Sequence, residues 1–225
     1  MDKKQYKKTE QFMLEHMSDS AHDCQHVYRV LYMALDIART EKADYEILIT
    51  SCLLHDVGRE KQFRDPSLCH AAEGGKMAFD FLFDNGWDVS RASHVRDCIT
   101  SHRYRSDCLP ATIEAKILFD ADKLDATGAM GIARTILYNG QVNESLYSVD
   151  EKGGVLDGNE KEPFSFFQEY QFKLKNLYDK FHTRRGKEIA KLRQASAVAF
   201  YESIFDEVSS SYEAGEKQLT QILFE

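Results

Sequence analysis

The stretch Ile47-Leu48-Ile49-Thr50-Ser51-Cys52-Leu53-Leu54-His55-Asp56-Val57-Gly58 decides how this chain is read. An apolar run ends there on two side chains able to hold a metal. A carboxylate at the edge of a core costs several kcal/mol unless something compensates it, and a divalent cation is a common compensation. The run reads as a buried helix capped by Asp44 and continuing to about Val57, with Gly58 expected as a left-handed C-terminal cap.

Outward from this segment the chain reads as all-α. It has only 3 prolines and 12 glycines in 225 residues, and its apolar residues recur at spacings of three and four. Helices are expected at about Gln5–His16, Gln25–Thr40, His70–Phe83 and Asp88–His102, from Pro110 into Asp125, and at Gly128–Tyr138. Arg59 to Leu68, with Pro66, reads as a loop. From about 139 to 162 the pattern dissolves into glycines and charges, and a loop of that length is functional or disordered. After Pro163, two long helices (about Phe164–His182 and Lys187–Val208) and a polar tail complete the expectation of a single domain. Its metal-binding core spans about 22–138, its flexible loop about 139–162 and its C-terminal helices about 163–208.

The net charge of -8 argues against a nucleic-acid polymer or an anionic membrane as partner. It still allows a small anionic substrate, because a local cation overrides the global field. Five cysteines without a C-x-x-C pair read as reduced thiols, and no window approaches the ~18 apolar residues of a spanning helix. The expectation is a cytoplasmic protein, with a homodimer left open.

Chemistry concentrates in an ordered series: His26, His55-Asp56, His70, His102 and Asp122. Imidazole with carboxylate suits Zn, Mn, Fe or Ni. His26 and Arg29, three apart, share a helical face. Asp120 is turned ~200° away from Asp122, whereas Asp125 can face the same cleft.

Four pieces resemble the HD-domain metallophosphohydrolases, and most of all the small bacterial HD proteins of the YpgQ/YedJ type. They are His22-Asp23 with His26, Arg29 and Val30; Leu53 to Gly58; His70 with Glu73-Gly74-Gly75; and Asp120 to Ala126. The tail from His182-Thr183 through Gly186-Lys187 to Glu207 is similar too, so the likeness spans roughly residues 12 to 208. It implies an HD-domain helical bundle with extra C-terminal helices. His26, His55, Asp56 and Asp122 would bind one divalent ion (Mn favoured among Mn, Ni, Fe, Co and Zn). In dinuclear relatives, histidines at about the places of His70 and His102 hold a second metal. The YpgQ-type likeness instead has them touch phosphate or solvent.

The activity implied is hydrolysis of a nucleoside triphosphate to monophosphate and pyrophosphate. Asp56 would act as ligand and proton acceptor, Glu73 or Asp125 as general acid or water-orienting group, and Lys123 as charge on the phosphoryl group. Arg29, Arg59, Lys61, His70, His102, Arg103 and Arg105 are candidates to contact substrate. The alternatives are a 5′-nucleotidase-type phosphatase, a di-iron oxygenase needing His70 and His102 as ligands, and a non-catalytic nucleotide-sensing module. Plainer readings also apply: Lys123 pairing with Asp120 or Glu114, His16, His22, His94 and His182 as satisfied packing residues, and Phe164, Phe166, Phe167, Tyr170 and Phe172 as core rather than a base-stacking platform.

Overall fold

The computed structural model describes residues 1–17, 24–103, 108–161 and 164–224. His22, Asp23, Tyr104, Arg105, Glu162 and Pro163 lie outside the described residues. The elements are α-helical: α1 Lys3–Glu15, α2 Cys24–Ala38, α3 Tyr45–Leu54, α4 Arg59–Arg64, α5 His70–Asp84, α6 Val89–Thr100, α7 Ile113–Leu124, α8 Gly128–Gln141, α9 Phe166–Phe172 and α10 Arg184–Phe224. A single 3-10 turn, Leu174–Asn176, follows α9, and two isolated bridges are the only β pairing among the described residues.

Two compact units result. The first comprises residues 1–125 and 181–188, the second 126–180 and 189–225. In the first, α3 is the central post, packed by α1, α2, α5, α6 and α7. Ile47, Leu48, Leu53 and Leu54 are at most 1% exposed and cover more than one side of the helix, which is the signature of a helix buried all round. Each such side chain contributes roughly 1.5–3 kcal/mol by leaving water. Asp44 caps α3 by accepting the amides of Glu46 and Ile47.

The second unit gathers Ile132, Phe166, Phe167, Tyr170, Leu174, Ala197 and Tyr201 into its own core. Of the aromatic run, Phe166, Phe167 and Tyr170 are buried as expected of core, while Phe164 and Phe172 are exposed.

Four local expectations need correction. Gly58 is not left-handed: its φ is -85, and it opens α4. It is glycine because a Cβ there would lie 2.3 Å from the His70 carbonyl oxygen and 2.5 Å from the Gly74 nitrogen. Residues 59–64 are helical rather than loop, since good helix formers precede Pro66 and Glu60 pairs with Arg64 one turn on. The expected long helix at 164–182 is only α9 and a 3-10 turn. Finally, the expected polar tail continues α10 to Phe224, with Ser210 and Ser211 returning their hydroxyls to the Asp206 and Glu207 carbonyls, so these polar side chains do not compete with the helix.

Candidate metal centre

His55 closes α3 in helical conformation, and Asp56 follows it into the core; both are 0% exposed. The ring of His55 is fixed by its Nδ1, which donates to the Cys52 carbonyl at 2.8 Å. Three other buried histidines repeat the device. His26 Nδ1 donates to Asp125 Oδ2 at 2.7 Å, His70 Nδ1 to the amide oxygen of Gln62 at 2.6 Å, and His102 Nδ1 to the Ile99 carbonyl at 2.6 Å. Each Nδ1 therefore carries the proton, and each Nε2 is left as a bare lone pair.

Those lone pairs converge. The Nε2 atoms of His26 and His55 are 3.3 Å apart, as are those of His70 and His102. Asp56 lies between the pairs. Its Oδ2 is 3.5 Å from His26 Nε2 and 3.6 Å from His55 Nε2, while its Oδ1 is 3.5 Å from His70 Nε2 and 3.7 Å from His102 Nε2. Oδ1 also accepts from Arg59 Nε at 3.0 Å, whereas the buried Oδ2 has no hydrogen-bond partner. Asp122 adds Oδ1 at 3.5 Å from His26 Nε2 and 4.0 Å from His55 Nε2.

Lone pairs facing each other around an orphaned carboxylate oxygen repel unless a cation lies among them, so this donor set fits a divalent ion. His26, His55 and Asp56 form one group of metal-competent atoms, and Asp56, His70 and His102 form another. Protonation agrees. Burial pushes His55 down to about 4 and His70 to about 2, keeping both rings neutral at neutral pH. Burial would raise the Asp56 carboxyl, but Arg59 and the surrounding histidines hold it well below the usual carboxylate range. Asp122 is likewise held low against burial by Lys123 and the histidines. Neutral imidazoles and ionised carboxylates are the state a metal needs.

The remaining sequence candidates fall into several settings. Asp125 is 1% exposed, and both its oxygens are engaged: Oδ1 by Arg29 Nε at 2.8 Å, and Oδ2 by Arg29 Nη2 at 3.0 Å and by His26. Lys123 reaches Asp122 Oδ2 at 2.6 Å and the His102 carbonyl at 3.3 Å, rather than Asp120 or Glu114. Lys61 and Glu73 pair with each other at 2.9 Å, and Arg103 donates to Cys69 Sγ at 3.4 Å. Asp120 is directed elsewhere, accepting the amides of His182 and Thr183 at the start of α10. His94 is satisfied by Glu114 and Thr112. Gln62 was missed by sequence reasoning; its i+3 spacing from Arg59 would have exposed it had 59–64 been read as helix.

The HD domain family matches residues 24–127, a span that contains all of these metal-competent groups. YpgQ of Bacillus subtilis (strain 168) is 32% identical over 185 residues, covering 80% of this chain and 82% of its own. The crystal structure of YpgQ in complex with ADP superposes with a TM-score of 0.70 at 26% identity, covering 90% of this chain and 97% of that one. An HD-superfamily hydrolase from Bacillus thuringiensis gives 0.67 at 29% identity, covering 91% and 96%. A predicted HD superfamily hydrolase from an uncultured Thermotogales bacterium gives 0.61 at 27%, covering 91% and 92%. With the buried His-Asp pair, the converging imidazoles and these likenesses in agreement, the chain belongs to the HD-domain family of metal-dependent phosphohydrolases.

Proposed function

We propose that this chain hydrolyses nucleoside triphosphates to monophosphate and pyrophosphate, using a divalent ion held by His26, His55, Asp56 and Asp122. The observation that carries the reading is the orphaned Oδ2 of Asp56 facing two unprotonated Nε2 atoms. A nucleotide is favoured because the YpgQ structure contains ADP. The mixed nitrogen and oxygen donors suit Mn, Fe, Co, Ni or Zn, and Mn is the ion we favour.

Such an ion supplies Lewis acidity toward a phosphoryl oxygen and toward water. The chain's own residues supply the rest. Arg59 spends only its Nε on Asp56, so its terminal amino groups are available to a phosphate oxygen. Lys123 is steadied by two acceptors and retains a third donor for charge on the transferring group. Asp125 acts through His26, holding its tautomer. A second ion is favoured by a specific observation: His70 and His102 aim their Nε2 atoms at the other oxygen of Asp56.

Metal analysis of the purified protein, joined to a nucleotide panel with product identification, tests the proposal. Pyrophosphate release with stoichiometric Mn is the expected result. Orthophosphate alone would favour the 5′-nucleotidase-type alternative. Two irons per chain with oxygen consumption and no phosphate release would sink hydrolysis.

A further inference from the structure

Three residues of α4 share one helical face: Arg59, Gln62 and Phe63, at i, i+3 and i+4. The first two reach into the metal centre, Arg59 to Asp56 and Gln62 to His70. Phe63 continues that face outward and is 87% exposed, more than any other large apolar side chain among the described residues. Its ring gains almost nothing from folding, because it leaves little water behind.

The helix itself is not loose. Gly58 abuts the backbone of α5 at His70 and Gly74, and Lys61 is tied to Glu73. An aromatic ring is thus held in the open, on a residue one helical turn (about 6 Å of backbone rise) beyond Arg59, whose guanidinium lies beside Asp56.

We infer that Phe63 is a specificity-determining residue that stacks on the aromatic base of the nucleotide whose phosphate meets Arg59. The inference rests on the nucleotide-hydrolase reading above and narrows it. One turn of helix separates the residue that carries the phosphate-facing cation from the residue that carries the ring, and in a nucleotide one ribose separates the α-phosphate from the base. The γ-phosphate stands two phosphates further away. Stacking at Phe63 therefore selects attack at the α-phosphorus, the course that releases pyrophosphate. A base is recognised by its π-face, so the preference is for an aromatic base over none, with modest discrimination among bases.

The test compares KM and kcat of the metal-loaded protein on a nucleoside triphosphate and on inorganic tripolyphosphate, which has no base. In Phe63→Ala, the KM advantage of the nucleotide over tripolyphosphate falls about tenfold, the scale of one lost base–aromatic stack. Most of the loss is in KM rather than kcat, and Phe63→Trp restores the advantage. An equal rise in KM for both substrates, or an unchanged ratio in Phe63→Ala, overturns the role of Phe63 while leaving the hydrolase reading standing. A wild-type protein that cleaves no nucleotide at all overturns both.

Discussion

Replacing Asp125 by Asn isolates what a buried carboxylate does one bond removed from a metal. The side chain keeps its shape and loses its charge. In the native site, one oxygen accepts from Arg29 Nε and the other from His26 Nδ1 and Arg29 Nη2, at 2.7–3.0 Å. An amide can place its oxygen toward His26, but its NH2 then faces the Arg29 Nε–H, donor against donor. Two consequences follow with different sizes. Loss of a carboxylate behind a ligating imidazole weakens metal binding about 10- to 100-fold, or roughly 1.4–2.7 kcal/mol. The stability of the metal-free protein falls less than a fully buried pair would suggest, by about 1–2 kcal/mol, because the Arg29 side chain is 34% exposed and water takes over part of its solvation. Calorimetric titration of Mn into the wild type, Asp125→Asn, His26→Ala and the double variant reads the first term. If Asp125 works through His26, its substitution adds nothing in the His26→Ala background, and saturating metal restores most of kcat in Asp125→Asn. An unchanged Mn affinity in Asp125→Asn, or the same loss with and without His26, refutes the reasoning. A kcat that stays low at saturating metal would make Asp125 an acid or base in its own right.

Four other substitutions or treatments probe the same fold. Gly58→Ala drives a methyl into the backbone of α5 and should cost about 1–3 kcal/mol in a urea titration; a change under about 0.5 kcal/mol would deny the close approach. Asp56→Ala should reduce both metal affinity and turnover at least about 100-fold, and full-rate hydrolysis would contradict the metal mechanism. Stripping the ion with a chelator should lower the melting temperature, and returning metal at 100 times its Kd should recover about 2.7 kcal/mol, read by calorimetry across metal concentrations. Gln62→Glu places a carboxylate behind His70 and should tighten the weaker of two classes of bound ion; a titration showing one class in both proteins would dismiss the second ion.

Much of this was legible in the sequence because α3 is buried on all sides, and a continuous apolar run ending in His55-Asp56 suits little besides a core helix that carries metal-competent side chains to its buried end. The helical periodicity of α2, α5, α6 and α7 was equally readable, with Asp44 and Asp88 acting as side-chain caps. Gly58 was misread because a glycine after a helix suggests a left-handed turn, and only tertiary structure reveals the backbone pressed against it. The shortness of α4 hid Gln62, since six residues are too few to show a period beside Pro66. The end of α10 was underestimated because Ser209-Ser210-Ser211 looks like a breaker until the hydroxyls of Ser210 and Ser211 are seen bonding back within the helix. The engagement of Asp125 by two partners, one 96 and the other 99 residues away in sequence, is a contact that no local pattern encodes.

The four histidines present the same atom toward Asp56, yet what stands behind them differs. His55 and His102 lean on peptide carbonyls, His70 on a neutral amide, and His26 alone on a carboxylate. A carboxylate behind an imidazole raises its basicity more than an amide does, so Oδ2 of Asp56 belongs to the stronger donor group. Asp122 adds a second negative oxygen on that side, whereas Arg59 withdraws electron density from Oδ1 on the other. The asymmetry therefore favours His26, His55 and Asp122 as the side that would hold an ion more tightly. The His70 and His102 side lies beside the Arg59 guanidinium, where a phosphate oxygen and a second ion would compete for the same space.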